Sequence, residues 1–348
     1  MIMSLYFIHY SERLSEDSKY NALVAPKHVE RTLRSCGAKE VHWHTWTHLP
    51  IAKAQSVVWR ITDVLQCLLS LSIFHRGDTL LFQFPYPGMM LGLILRLLYL
   101  KGVKTVILVH DLHEYRSQEV PFGIKGKIRA FNRASVLLVH TPQMASLLRE
   151  SGVITRMQPM TLFDYYSDDP FRDETSQIKD RTVIAFAGNL NKSAFLRTME
   201  RSLIPGELTI RMYGVEPKTS FANEQMKYCG KFLPEHTGAI EAGWGLVWDG
   251  DRLDTCSGLL GRYLTIIAPH KLSLYLACGM PVIVWKKSAH AAFVEENNIG
   301  IAVESIFEAY NRIGAMSEAD YVEKMKNARV IGEKLRHGEY LKNALHEI

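Results

Sequence analysis

The chain has 348 residues, of which 47% are hydrophobic and 22% charged, and this composition excludes a disordered, collagen-like or coiled-coil protein. Lysine and arginine outnumber aspartate and glutamate by 41 to 36, and the excess lies in residues 1–164, which carry 19 basic and 12 acidic side chains. The five cysteines are never spaced as CxxC, which argues against a disulfide framework or a zinc knuckle. Residues 1–13 lack the cationic lead and cleavage site of a secretory signal, so we expect a cytoplasmic protein.

Short apolar runs alternate with helical segments in the first half of the chain. Strands are expected at residues 4–9, 40–44, 79–84, 104–110, 136–140 and 157–162. Helices are expected at residues 26–35, 52–71, 88–100, 125–132 and 142–150. This alternation predicts a parallel, doubly wound sheet. The most apolar segment, residues 88–100, is shorter than the roughly 20 residues that a membrane span needs.

A polar stretch at residues 166–180 predicts a linker between an N-terminal domain, residues 1–165, and a C-terminal domain, residues 181–318. Strands are expected in the second domain at residues 182–187, 208–213, 226–230, 245–248, 281–284 and 299–303. Helices are expected there at residues 192–199, 234–239, 269–278 and 289–296. Residues 319–348 predict helices that pack back towards the N-terminal domain. The expected fold is α/β, with two Rossmann-like domains facing a cleft that is the default ligand site.

Two motifs of the second domain predict a place for an anion. In VIAFAGNLNKS a buried strand ends at Gly188, and Asn189, Asn191 and Lys192 follow where free amides and a helix start would favour negative charge. In APHKLSLYLACGMPVIVW, Lys271 lies near the start of a helix whose Leu, Tyr and Leu stripe packs inward. The alternatives are an ordinary strand-to-helix turn and a solvated lysine. Neither motif matches GxGxxG or the P-loop.

A third loop, GWGLVWDGDRLDTCSGLLGRYL at residues 243–264, is rich in glycine and carries Asp249, Asp251 and Asp254. Carboxylates at this spacing suggest a cation, but no run reproduces an EF-hand loop. We therefore expect no metal and no cofactor, and interpret the loop as facing a ligand.

The basic first half offers acid–base groups and a charged surface. His110 and Asp111 follow a buried strand, where doubly wound folds bind ligands, although residues in that position also cap strand ends. The basic run Lys125, Lys127, Arg129 and Arg133 has no aromatic residue interleaved between its first three members, which argues against nucleic acid. Beside the apolar residues 88–100, this run predicts weak association with anionic membranes; the alternative is a solvated face.

These motifs resemble one group of bacterial GT-B glycosyltransferases, the β-1,6-galactofuranosyltransferases and the glucosyltransferases that extend sugars on serine-rich adhesins. The resemblance is carried by FAGNLNKS, GLVWDGDRLDTCSG, YLTIIAPHKLSLYLACGMPVIVWKKSAHAAFV and FNRASVLLVHTPQM, and it covers nearly the whole chain. It implies a homo-oligomeric enzyme that transfers a hexosyl unit, glucose or galactofuranose, from a UDP-sugar to a lipid-linked glycan or glycoprotein. It also implies a donor site made by Gly188, Asn189, Asn191 and Lys192 with Tyr213, Asp249, Ser257 and Lys271.

Two departures from the family pattern bear on mechanism. Relatives place asparagines before PHK where this chain has Ile267 and Ala268, which leaves the hexose open. The retaining Glu-x7-Glu pattern would need glutamates at Ile266 and Leu274, so we expect inversion, with Asp111 or His110 as catalytic base. The rival functions are a two-lobed nucleotide-sugar-binding protein and a GT-B sugar epimerase. Release of UDP would separate a transferase from a binding protein.

Overall fold

The computed structural model describes residues 3–9, 24–42, 65, 68–85, 91–112, 115 and 120–348, the side chains of residues 120–125 excepted. The described chain divides into two compact units. The first takes its described residues from Met1–Arg13, Pro26–Met160 and Leu341–Ile348, and the second from Leu14–Ala25 and Thr161–Tyr340.

The first unit is built on a parallel sheet of six strands. They are β1 (Leu5–Ile8), β2 (Lys39–Val41), β3 (Thr79–Phe84), β4 (Lys104–Val109), β5 (Val136–Val139) and β6 (Arg156–Pro159), in the order β2-β1-β3-β4-β5-β6. Its described helices include α1 (Val24–Ser35), α2 (Leu91–Leu100), α3 (Val120–Phe131) and α4 (Pro142–Glu150), with a short 3-10 helix at Leu71–Ile73. Helix α4 begins where the sequence predicts, because the Thr141 hydroxyl accepts a hydrogen bond from the Met144 amide.

The second unit is also built on a parallel sheet of six strands. They are β7 (Val183–Ala187), β8 (Thr209–Tyr213), β9 (Met226–Tyr228), β10 (Trp244–Val247), β11 (Val282–Trp285) and β12 (Gly300–Val303), in the order β12-β11-β10-β7-β8-β9. Its helices include α5 (Glu174–Lys179), α6 (Phe195–Glu200), α7 (Gly258–Tyr263), α8 (His270–Ala277), α9 (Ala291–Glu296), α10 (Ile306–Gly314) and α11 (Glu318–Arg336); α12 (Glu339–His346) follows at the end of the chain. This strand order is the doubly wound order of dinucleotide-binding domains.

The core of the second unit lies on both faces of its sheet because alternate residues of each strand point to opposite sides. Ile184 and Phe186 of β7 pack into one hydrophobic cluster, and Val183 and Ala185 pack into the other. Strands covered on both faces are continuously apolar, which is why β7, β10, β11 and β12 could be recognised from the sequence.

The structure differs from the predicted elements where short helices form in polar or glycine-rich segments. Helix α5 lies inside the predicted linker, where the Asp173 carboxylate caps it by accepting from the Thr175 and Ser176 amides. Helix α7 lies in the glycine-rich loop, and α6 begins at Phe195 instead of residue 192. The predicted elements at residues 43–44, 52–64 and 88–90 lie outside the described residues.

The final helices belong to different units. Helix α11 packs against α8 in the second unit, whereas Leu341 to Ile348 belong to the first, where the Lys104 ammonium donates to the Ile348 carbonyl. Among the described residues, no helix is both long enough and apolar enough to cross a membrane.

Candidate donor site in the second unit

The strand order of the second sheet reverses between β7 and β10. The two strands pair in parallel through Trp244 and Ile184, so their carboxyl ends lie side by side. Gly188 follows one strand and Asp249 lies just beyond the other. Ligands of doubly wound folds bind outside the carboxyl ends of the strands at such a reversal. This edge is therefore the candidate site.

Lys271, in the first turn of α8, carries positive charge to this edge. Its ammonium lies 4.3 Å from the ring centroid of Phe186 and 3.9 Å from Asp249 Oδ1, and its side chain is only 22% exposed. A Cβ at Gly188 would lie 2.9 Å from Lys271 Cε, so the glycine leaves the space that the lysine occupies. The ammonium is thus held by an aromatic face and a loosely paired carboxylate.

His270 precedes Lys271 and adds no charge at neutral pH. Its ring lies among Phe163 and Tyr165, with centroids 5.7 and 5.5 Å away. Burial lowers the pKa of His270 from 6.5 to about 4, because an imidazolium loses its hydration there. Pro269, which the sequence places in the first turn, is the residue before the helix and provides no side-chain cap.

The loops after β7 and β8 approach each other through bare backbone. The Gly188 amide donates to the Tyr213 carbonyl at 2.9 Å, and Gly214 adopts a φ of +144°. A Cβ at Gly214 would lie 2.0 Å from the Gly188 carbonyl oxygen, so only glycine fits there. At the carboxyl edge of the sheet, these two loops therefore present backbone atoms and no side chain at Gly188 and Gly214.

The Asn189–Lys192 loop uses two of its own amides, those of Asn191 and Lys192, for internal hydrogen bonds. Asn189 Oδ1 accepts from the Asn191 and Lys192 amides at 3.2 and 3.1 Å. The Asn191 side chain bonds to the Glu216 carbonyl and the Lys218 amide. The expectation of free amides is therefore wrong for Asn191 and Lys192, because asparagine in a turn bonds its own following backbone. The Lys192 side chain is exposed.

Tyr213 is a buried structural residue in this arrangement. Its hydroxyl accepts from the Glu241 amide at 3.0 Å and donates to the Glu241 carbonyl at 3.3 Å, and its side chain is 3% exposed. Burial raises the pKa of the Tyr213 phenol. Both hydrogen bonds of the hydroxyl are therefore made to Glu241. At the carboxyl edge of the sheet, Tyr213 takes part through its backbone carbonyl, which accepts from the Gly188 amide.

The acidic loop after β10 is held mostly by its own side chains. Ser257 Oγ donates to Asp251 Oδ1, and Arg252 Nε donates to Asp254 Oδ1 at 2.7 Å. Among the described residues, these carboxylates form no group of three metal-ligand atoms. Asp249 is the acidic residue of this loop that faces Lys271.

Tyr275 is a supporting residue whose bonding role the sequence does not reveal. The sequence assigns it to the core, and it is fully buried, yet its hydroxyl also accepts from the Ala187 amide at 2.7 Å. A Cβ at Gly245 would lie 2.1 Å from Tyr275 Cγ. A glycine inside a strand is the one available signal that a bulky ring lies against it.

His110 and Asp111 lie in the first unit, directly after β4. The His110 amide donates to the Phe84 carbonyl at 2.7 Å, and its Nε2 lies 2.7 Å from Gln83 Oε1. Because an amide oxygen only accepts, Nε2 carries a proton, while Nδ1 is buried. Both residues are partly exposed, but the His110 nitrogen that could accept a proton is the buried Nδ1, so Asp111 is the better placed of the two to act as a base.

Comparison with known families covers most of the chain. Residues 9–162 match the glucosyltransferase 3-like N-terminal domain, and residues 184–348 match the glucosyltransferase 3-like C-terminal domain. The sequence is 32% identical over 299 residues to the β-1,6-galactofuranosyltransferase WbbI of Escherichia coli, covering 84% of this chain and 85% of the relative.

Solved structures agree on the fold. Sucrose-phosphate synthase from Thermosynechococcus elongatus is similar with a TM-score of 0.64 at 13% identity, covering 99% of this chain and 97% of that one. HepE of Anabaena, in complex with UDP, is similar with a TM-score of 0.57 at 12% identity, covering 99% and 100%. These likenesses confirm the predicted GT-B class with two Rossmann-like domains.

Proposed function

The chain belongs to the glucosyltransferase 3-like family of glycosyltransferases, and we propose that it transfers glucose or galactofuranose from a UDP-sugar to a glycan acceptor. The observation that carries the donor assignment is the Lys271 ammonium, oriented by Phe186 and Asp249 at the carboxyl edge of the second sheet. The names of the E. coli relative and of the family support a hexosyl donor. The UDP complex of the similar Anabaena protein supports the nucleotide.

In the proposed reaction Lys271 stabilises the departing diphosphate. Cleavage of the glycosidic bond leaves negative charge on UDP, and a cation already fixed in place stabilises that charge without reorganisation. In the free enzyme Asp249 is weakly paired with Lys271. When the diphosphate of the donor pairs with Lys271 instead, we assign Asp249 to a contact with the sugar. The backbone at Gly188 and Gly214 leaves room for the phosphates to approach.

We propose inversion at the anomeric carbon with a base from the first unit. Leu274, at one position of the retaining Glu-x7-Glu pattern, is a buried leucine of α8, so this segment supplies no carboxylate there. Asp111 is the proposed base, and His110, hydrogen-bonded to Gln83, is proposed to hold the loop that carries it. A single base on the acceptor hydroxyl fits direct displacement.

The test of this function is a donor screen that measures release of UDP from UDP-glucose, UDP-galactose, UDP-galactofuranose and UDP-N-acetylglucosamine, each with glycan acceptors. One donor should be used well, and Lys271→Ala should abolish most of that turnover. Lys334→Ala is the matched control, since Lys334 is an exposed lysine of α11 in the same unit. Nucleotide binding without turnover of any donor would instead indicate a binding protein.

We further propose weak association of the first unit with anionic membranes, where lipid-linked acceptors lie. Helix α2 exposes Leu93, Tyr99 and Leu100, the last two at 71%. Lys127 lies over the Phe84 ring and Arg133 donates to the Gly92 carbonyl, so these basic residues also hold the unit together.

Co-sedimentation with phosphatidylglycerol vesicles tests the membrane proposal. Binding should fall as salt rises through about 0.15 M, because screening shortens the reach of the basic surface. A Tyr99→Ser and Leu100→Ser double variant should bind less, whereas Leu203→Ser, an exposed leucine of the second unit, should not change binding. Binding that is independent of salt and of both variants would contradict the proposal.

A further inference from the structure

Two histidines and a glutamate converge at one edge of the first sheet. His9 follows β1 directly, and Glu40 and His42 lie in and just after β2. The strands pair in parallel with Ile8 opposite Val41, and the His9 amide donates to the Val41 carbonyl at 3.0 Å. This register brings together side chains that are more than 30 positions apart in the sequence, which is why no ligand spacing reveals them.

The three side chains present ligand atoms at metal-site separations. Glu40 Oε1 lies 3.2 Å from His9 Nδ1 and 3.1 Å from His42 Nε2, and the three atoms all lie within 4.8 Å of one another. Ligands bonded tetrahedrally to zinc at 2.0–2.1 Å lie about 3.3 Å apart, close to these distances.

The surroundings orient the ligands and leave a negative balance. Arg34 Nε and Nη2 donate to Glu40 Oε2 at 2.9 and 2.7 Å, which leaves Oε1 directed at the histidines. Glu30, with a side chain only 4% exposed, brings Oε2 within 3.1 Å of His9 Nδ1 and 3.0 Å of Arg34. Two carboxylates therefore face one guanidinium, and the excess negative charge favours a cation. The Arg34 hydrogen bonds to Glu40 are of the kind that hold ligands in place at metal sites, and Glu30 adds negative charge beside the His9 nitrogen that would bind the ion.

We propose that His9, Glu40 and His42 bind a zinc ion. Two imidazoles with one carboxylate are a donor set that suits zinc and leaves the fourth position to water. The ion would tie the carboxyl ends of β1 and β2 together. Strand β2 has three residues and lies at the edge of its sheet, so it has few backbone bonds of its own. This site goes beyond the proposed transferase function and lies in the unit that does not hold the candidate donor site.

Titration of Zn²⁺ into the chelator-stripped chain tests this proposal, with calorimetry and thermal unfolding as readouts. One ion should bind per chain and raise the melting temperature, and Co²⁺ should give the visible absorption of a tetrahedral site. His9→Ala and His42→Ala should each weaken binding by at least about 100-fold, as ligand loss costs more than loss of a supporting residue. His337→Ala, an exposed histidine of the second unit, should leave binding unchanged.

Glu40→Gln keeps the result interpretable if an alanine variant fails to fold. Glutamine preserves the size of the side chain but removes the anionic ligand, so the variant should keep its circular dichroism spectrum and lose zinc. Binding of equal strength in the His9→Ala, His42→Ala double variant would overturn the assignment. So would the absence of stoichiometric binding by the unmodified chain.

Discussion

Two segments of the second unit look alike in sequence, since each places a lysine near the start of a helix after a polar or proline turn. After β7, the Asn189 side chain takes the amides of Asn191 and Lys192, and Lys192 points into solvent. At the start of α8, Lys271 lies over Phe186 with 22% of its side chain exposed.

The two lysines differ in exposure because their segments are anchored differently. After β7 the Asn189 side-chain oxygen and the Asn191 side-chain amide bond the surrounding backbone, so these groups are not left for a ligand. Helix α8 is anchored by buried residues such as Leu272 and Tyr275, and this anchoring fixes the position of Lys271, which directly precedes Leu272. A fixed cation can stabilise developing charge, whereas a mobile one must first be ordered.

The largest expected effect follows directly from this contrast. Lys271→Ala should lower turnover of the UDP-sugar by about 100- to 1,000-fold, the usual cost of losing one fixed partner of developing charge. It should also weaken UDP binding by about 1.5–3 kcal/mol, as a charge-assisted contact is lost. Lys192→Ala should cost less than about 0.5 kcal/mol of UDP binding, as an exposed site usually does. Calorimetric titration of UDP and steady-state kinetics measure both.

Equal losses in the two variants would show that the Asn189 loop rearranges to bind phosphate. No loss in Lys271→Ala would remove the donor site from the carboxyl edge of β7 and β10. Lys334→Ala should match the unmodified chain in either case.

Most strands of both sheets could be predicted because strands covered on both faces are apolar throughout. β3 (Thr79–Phe84) was located to the residue, and the family resemblance read from the motifs is confirmed. Helices α5 and α7 were missed because their six residues carry no apolar periodicity. Two hydrogen bonds could not be predicted, because they depend on side-chain orientation in the folded chain. Asn189 bonds the backbone of its own loop, and the Tyr275 hydroxyl accepts from the Ala187 amide.

The pH dependence of stability tests whether Lys271 is the main charge at the start of α8. The pKa of His270 is about 4 in the folded chain and near its ordinary 6.5 when unfolded, so below pH 6.5 the unfolded chain binds the extra proton. His270 alone should therefore contribute a loss of about 2–3 kcal/mol of stability as pH drops from about 6.5 towards 4.

Urea unfolding between pH 7 and pH 4.5 measures this loss. His270→Phe should reduce the pH dependence, because the ring of phenylalanine does not titrate, while His290, whose pKa burial also lowers, keeps contributing to the slope. The slope is informative whatever the absolute stability of the variant. His337→Ala, which changes an exposed histidine, should keep the original slope. A slope that His270→Phe leaves unchanged would mean that His270 is charged or exposed.

The anchoring of α8 can be tested with two buried tyrosines of the second unit. Tyr275→Phe removes the acceptor of the Ala187 amide and should cost about 1–3 kcal/mol of unfolding free energy, since a buried donor loses its partner. Tyr310→Phe removes a buried hydroxyl that has no hydrogen-bond partner among the described residues, so it should be neutral or stabilising. Similar losses in the two variants would mean that packing, and not the hydrogen bond, anchors α8.

The smallest expected effect concerns divalent metals at the donor site. Asp251 is held by Ser257 and Asp254 by Arg252, so the acidic loop leaves Asp249, already beside Lys271, as its carboxylate nearest the proposed diphosphate. If the fixed lysine supplies the positive charge, the dissociation constant of UDP should be the same in EDTA and in Mg²⁺ or Mn²⁺. The measurement is UDP binding rather than turnover, so zinc at His9, Glu40 and His42 does not affect the reading. If UDP binds more tightly in Mg²⁺ and this gain disappears in Asp249→Asn, then Asp249 is a metal ligand. In that case a metal ion, and not Lys271, supplies the main positive charge beside the diphosphate.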